Sequence, residues 1–279
     1  MTDQPIRVVF CSNGGLNGAL VMDRLLRSPR VRIVGLIVST RMLRPNQGYL
    51  TGALEFVRRS GVTYTLALWC STALADWLLR FSPIAPMTHR AKRLAIPMIA
   101  TRQINDVMSV QFLKSAAPDL LVSAFFNQRI DATVAALPRS GAVNIHPSPL
   151  PEFRGVDPVF HATLQHATTL GASVHAITAE FDQGPIFARE TRPADAKHSV
   201  LWNTAYNYRC GADLLTGVLD TITNGVPGEP QSVPGGYDSW PTPSQVAALQ
   251  KQGKKLVAME DLLNMARGNF SFTQSGVDG

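Results

Sequence analysis

Along roughly the first 180 residues, short apolar runs rich in β-branched side chains alternate with stretches whose apolar positions recur every three to four residues. Residues 6–11, 31–39 and 62–68 read as strands, and residues 18–27, 52–60, 72–80 and 105–115 read as helices. A strand pair follows at 119–124 and 141–146. Runs such as Leu120-Leu121-Val122 are apolar on both faces, as expected where helices cover a parallel sheet on both sides. The order predicts an α/β fold with a doubly wound, mostly parallel sheet, and such sheets bind ligands at the carboxyl ends of their strands. Residues 81–98, with Pro83, Pro86 and Pro97, read as an irregular excursion.

A helical pattern over 198–224 breaks at Asn224-Gly225-Val226-Pro227-Gly228 and again at Pro234-Gly235-Gly236. The chain is therefore divided into a catalytic domain over 1–225 and a short, mainly helical C-terminal extension over 226–279. In the extension, Thr242-Pro243-Ser244-Gln245 has the form of a capping box with proline at the first helical position, and Gly253 is a stop signal.

Composition adds bounds to this picture. With 279 residues, 45% apolar and 16% charged, the chain can bury a core and falls outside disordered and collagenous ranges. Lys and Arg total 26 against 20 for Asp and Glu, a formal charge of +6, with one basic cluster at Arg90, Lys92 and Arg93. Cys11, Cys70 and Cys210 are widely spaced and read as reduced, inert thiols. The N-terminus shows no leader pattern and no window is continuously apolar over roughly 18 residues, so a soluble, cytoplasmic protein with no membrane partner is expected.

Chemistry concentrates in residues 141–155. Asn144 and His146 alternate with Ile145 on a predicted strand, so an amide and an imidazole face the same way. Pro147, Pro149 and Pro151 then stop the strand and stiffen the loop after it, and Asp157-Pro158 reads as the cap and first position of a helix. A second segment, 171–186, is a strand carrying Ser173 and His175 followed by an Asp182-Gln183-Gly184 turn.

In these residues the chain resembles the folate-dependent formyltransferase family. Asn144, His146, Pro147, Ser148, Leu150, Pro151, Arg154, Gly155, Gly171, His175, Asp182 and Gly184 match its signature, while Ser173 and Pro149 stand where the family usually has Thr and Leu. The resemblance implies a Rossmann-like fold, 10-formyltetrahydrofolate as co-substrate, no metal, and Asn144, His146 and Asp182 as the catalytic residues. It implies a folate site in the loop Phe126, Asn127, Gln128 and Arg129, walled on the other side by Thr178 and Phe181. The acceptor would meet Ser148, Arg154 and the glycine-rich turn at Asn13 and Gly14, whose main-chain N–H groups suit a phosphate.

The chemistry asks for these residue types. As an amine attacks the formyl carbon, charge develops on the carbonyl oxygen, to which an Asn amide and a protonated imidazole can donate. A carboxylate beside the imidazole favours its protonated form and can take the proton shed by the attacking nitrogen. His175 reads as a supporting hydrogen-bond partner. The expected function is N-formylation of a small-molecule amine, an amino sugar, amino acid or related metabolite. Methionyl-tRNA as acceptor, water as acceptor in a hydrolase, and a silent folate- or nucleotide-binding protein are the alternatives. Residues 41–98 match no motif, and the extension from Thr242 would pack across a homodimer.

Overall fold

The computed structural model describes residues 4–232, 236–267 and 269. In chain order the elements are β1 (Ile6–Ser12), α1 (Gly15–Arg27), β2 (Val31–Ser39), α2 (Tyr49–Trp69), α3 (Ala75–Leu78), α4 (Met87–Arg93), β3 (Met98–Thr101) and α5 (Val107–Ala116). They continue with β4 (Leu120–Ala124), α6 (Ala132–Ala135), β5 (Ala142–His146), α7 (Pro158–Leu164), β6 (Thr169–Ala176), β7 (Ile186–Pro193), α8 (Val200–Gly217), α9 (Leu219–Thr223), α10 (Pro243–Lys251) and α11 (Met259–Ala266). The seven strands form one sheet in the order β3-β2-β1-β4-β5-β6-β7. Pairing is parallel from β3 to β5 and antiparallel for β5 with β6 and β6 with β7. This is the doubly wound arrangement, with its crossover direction switching between β1 and β4.

Alternation along β1 shows how the layers are built. Val8 and Phe10 point into a core shared with α1 and α8, while Val9 and Cys11 point into one shared with Leu113 of α5 and Val134 of α6. Burial raises the Cys11 thiol far above its ordinary range, which keeps it protonated and inert. A third cluster joins Tyr64, Phe160 and Leu170 to Val246, Leu249 and Leu256, and Leu262 and Met265 enter the first core. Helices α10 and α11 are thus seated on the cores of the preceding chain.

Several local expectations change. Residues 62–68 are helix, not strand. Their Val-Thr-Tyr-Thr run has strand propensity, but Gly61 (φ 81°, ψ 166°) kinks α2, and the buried positions Ser60, Tyr64, Ser71 and Ala75 repeat with helical spacing. Tyr64 is held by Phe160 at 6.0 Å between ring centroids and by its hydroxyl, which donates to Asp157 (2.8 Å). The stretch 81–98 contains α4 and the start of β3, so it is not irregular. The edge strand β7 was not expected from the sequence, and the helix over 198–224 divides at Val218.

The capping box at Thr242 is present: its hydroxyl accepts from the Gln245 amide (3.3 Å) and the Gln245 side chain accepts from the Thr242 amide (2.8 Å). Gly253 ends the helical run at φ 75°. Of the second predicted break, Pro234 and Gly235 lie outside the described residues.

Candidate active site

Strand register assembles the site. Ser123 on β4 pairs with Asn144 on β5, and Asn144 pairs with His175 on β6, so three side chains stand in a row near the carboxyl ends of β4 and β5. The Ser123 hydroxyl donates to Asn144 Oδ1 (2.7 Å) and Asn144 Nδ2 donates to His175 Nε2 (3.2 Å). His175 Nδ1 lies 2.9 Å from the Ala176 carbonyl and so carries the ring proton of the neutral imidazole. This chain fixes which way the Asn144 amide faces and leaves its second N–H to a ligand. The sequence offered one signal for Ser123: a hydroxyl in the otherwise apolar strand Leu120-Leu121-Val122-Ser123-Ala124.

Burial lowers the pKa of His175 from 6.5 to about 4, with Asp182 opposing and His146 reinforcing the shift. The ring is neutral in the folded protein, whereas in the unfolded chain it takes up a proton below pH 6.5. Its contribution to stability is therefore complete above pH 6.5 and is lost as pH falls toward 4. The full loss is about 3 kcal/mol, the two-and-a-half-unit difference at about 1.4 kcal/mol each. Urea unfolding at pH 7 and pH 5 checks this: the fall in stability should be distinctly smaller in a His175→Asn variant.

His146 ends β5. Its Nε2 is 3.3 Å from the Phe153 carbonyl and its Nδ1 is 3.6 Å from Asp182 Oδ1, while His175 Nε2 is 3.7 Å from the same oxygen. One carboxylate thus faces two imidazoles at electrostatic range. Asp182 adopts a left-handed backbone (φ 55°), which Asp tolerates better than most residues, and its Oδ2 accepts from the Gly155 amide (3.2 Å). Gly155 is itself required: at φ 122°, a Cβ there would lie 2.1 Å from the Asp238 carbonyl oxygen. Gln231, which sequence reasoning missed, clamps the turn by donating to the carbonyls of Asp182 (3.0 Å) and Gly184 (2.7 Å).

The proline-rich loop is held from three sides. Ser173 donates to the Ser148 carbonyl (2.8 Å) and accepts from the Leu150 amide (2.9 Å), Arg189 donates to the Leu150 carbonyl (2.9 Å), and Asn207 donates to the Pro147 carbonyl (3.0 Å). Ser at position 173 does this positioning with its hydroxyl. Ser148, expected at the acceptor, is buried, with its hydroxyl 2.9 Å from the Glu152 carbonyl and 3.2 Å from that of Phe153. Arg154 is buried too, near Tyr237.

A cavity of about 80 Å³ opens beside Asn144, His175 and Asp182. Phe126, Gln128, Arg129, Thr178 and Phe181 line it, together with Ser123. The lining mixes the apolar Phe126, Ile130, Ile177 and Phe181 with polar groups that include Asn144, His175 and Asp182. Asn127 is absent from the lining: its side chain donates to the carbonyls of Arg41 and Met42 and accepts from Ser39. The buried Gln128 accepts from the Ile104 amide (2.6 Å) and donates to Ser39 (2.7 Å) and the Thr101 carbonyl (3.0 Å), tying β3 to this loop. At the mouth, the Arg129 guanidinium stands over the half-exposed Phe181 ring, 5.9 Å from its centroid.

At the glycine-rich turn, Asn13 bonds to the loop on the opposite side, its amide to the Phe125 carbonyl (2.8 Å) and its side chain to the Asn127 amide (3.3 Å). Asp76 lies beside Gly14, accepts from the Gly15 amide, and is raised in pKa by burial. The Gly15 amide at the start of α1 is thus taken by the Asp76 carboxyl.

Residues 81–203, which include Asn144, His146 and Asp182, match the formyl transferase family model. A methionyl-tRNA formyltransferase from Roseiflexus sp. is 36% identical over 148 residues, 52% of this chain and 45% of that protein. One from Thermotoga maritima is 33% identical over 101 residues, covering 36% and 32%. The chain thus spans less than half the length of these relatives. By structure it resembles glycinamide ribonucleotide transformylase 1 from Symbiobacterium toebii, with TM-score 0.53, 17% identity, and 79% and 89% of the two chains covered. It also resembles a sugar N-formyltransferase from a Shewanella species, with TM-score 0.52, 15% identity, and 84% and 76% covered.

Proposed function

We propose that this chain, which belongs to the folate-dependent formyltransferase family, transfers the formyl group of 10-formyltetrahydrofolate to the amine of a small metabolite such as an amino sugar or amino acid. The observation that carries the reading is the Ser123–Asn144–His175 row with Asp182 set against both imidazoles. The amine nitrogen bonds to the formyl carbon, and the carbonyl oxygen takes the developing negative charge. The oriented Asn144 N–H donates to that oxygen, and His146 is the second donor. The attacking nitrogen gives its proton to Asp182, directly or through water. Collapse of the adduct breaks the bond to N10, and tetrahydrofolate leaves with a proton on that nitrogen.

For the acceptor, the Asp76 carboxyl already takes the Gly15 amide at the start of α1, which disfavours a phosphate there. Methionyl-tRNA is the second reading, because the sequence relatives carry that name. Release of tetrahydrofolate, followed by absorbance with amino sugars, amino acids and methionyl-tRNA in parallel, separates them. The reading expects turnover that depends on a small amine. Turnover with methionyl-tRNA alone would replace it.

A further inference from the structure

The helical stretch Tyr49–Phe81 runs for 33 residues and is long and apolar enough to cross a membrane by length and composition, with 22% of its most apolar window buried. It does not form one straight span, since it bends at Gly61 and its inner face is docked through Phe56, Tyr64, Ala75 and Leu79. The outer face has no cover among the described residues. Leu54 (59% exposed), Val62 (59%), Leu66 (56%), Trp69 (46%), Trp77 (60%) and Phe81 (97%) are displayed there. Val62, Leu66 and Trp69 share one helical face by spacings of four and three, and Trp77 and Phe81 follow with a spacing of four after the π-helical turn Cys70–Leu74.

Charge identifies what covers this face. Residues 49–93 hold six basic side chains, Arg58, Arg59, Arg80, Arg90, Lys92 and Arg93, and two acidic, Glu55 and Asp76, so six minus two gives +4 of the chain's +6, and Glu55 is paired with Arg44. Asp76 turns inward to Gly15, Arg59 is bonded to Ser239 and Arg90 to Asp23. Arg58, Arg80, Lys92 and Arg93 are exposed. Two copies apposed through this face would bring like charges together, whereas an anionic lipid surface complements them, with Trp and Phe at headgroup depth and Arg and Lys on phosphates.

The helix also lies over the carboxyl edge of the sheet. The loop before it is bonded to Asn127, Tyr64 is bonded to Asp157, and Ser71 and Thr72 abut Gly15. We infer that the outer face of Tyr49–Phe81 docks this protein on anionic membranes, lying in the headgroup layer with the substrate edge of the sheet beside it.

Flotation with phosphatidylcholine vesicles containing about 30% phosphatidylglycerol tests the inference against pure phosphatidylcholine vesicles. Binding should favour the anionic vesicles and weaken with added salt. Replacing Trp69→Ser, Trp77→Ser and Phe81→Ser together should reduce binding by about tenfold or more with thermal unfolding unchanged. Arg80→Glu, Lys92→Glu and Arg93→Glu together should remove the preference for anionic lipid. Absence of flotation, binding that neither variant alters, or a concentration-dependent dimer lost in the Ser variant without any flotation would each overturn it.

Discussion

Replacing Asn144 by alanine should lower the rate of formyl transfer by roughly a hundredfold to a thousandfold, the usual effect of losing one oriented oxyanion donor. The expectation rests on the amide's surroundings. Ser123 fixes its oxygen and His175 takes one of its two N–H groups, so the remaining N–H has one direction in which to point. Such a donor is already oriented when charge develops on the formyl oxygen. Alanine also leaves the Ser123 hydroxyl and His175 Nε2 without this partner, which costs about 1–3 kcal/mol of stability. Rates are therefore to be compared at a temperature where circular dichroism shows both proteins folded. A variant that keeps more than half of the wild-type rate would remove Asn144 from the mechanism.

Asp182→Asn should be comparably severe, on the order of a hundredfold to ten-thousandfold in kcat. The amide occupies the same volume and can still accept from the Gly155 amide, so the turn held by Gln231 should persist. What disappears is the negative charge 3.6 Å from His146 and 3.7 Å from His175, and with it the acceptor for the amine's proton. The signature is a fall in kcat without a matching rise in KM for the donor. Equal rates for Asp182→Asn and wild type would show that the carboxylate only shapes the turn.

Strands β1, β2, β4 and β5 were legible in the sequence because their signals are local, while Asn144, His146 and Asp182 were singled out together by resemblance to a family signature. Asn144 and His146 alternate with buried Ile145 on β5, and Pro147 ends the strand where the site begins. The capping box at Thr242 is equally local. What could not be read was decided by distant contacts. The run Val62-Thr63-Tyr64-Thr65 looks like strand until Tyr64 meets Phe160 and Asp157, nearly a hundred positions away. The short β3 is defined by pairing with β2 after Pro97, and β7 by its antiparallel register with β6.

The same divide runs through the site. Gln231 reaches the Asp182 turn across 49 positions, and no nearby residue announces it. Ser148 and Asn127 carry polar side chains in the expected segments, yet the fold spends them on main-chain partners. Asp76, an ordinary helical acid in the sequence, becomes the carboxylate at the start of α1 through the bend of the preceding helix.

The most direct test of the account follows an isotopically labelled formyl group from 10-formyltetrahydrofolate through a reaction with the accepted amine. Mass spectrometry should find the label in an amide, in amounts equal to the tetrahydrofolate released. Label recovered as formate at the same rate with or without the amine would contradict transfer and identify water as the acceptor.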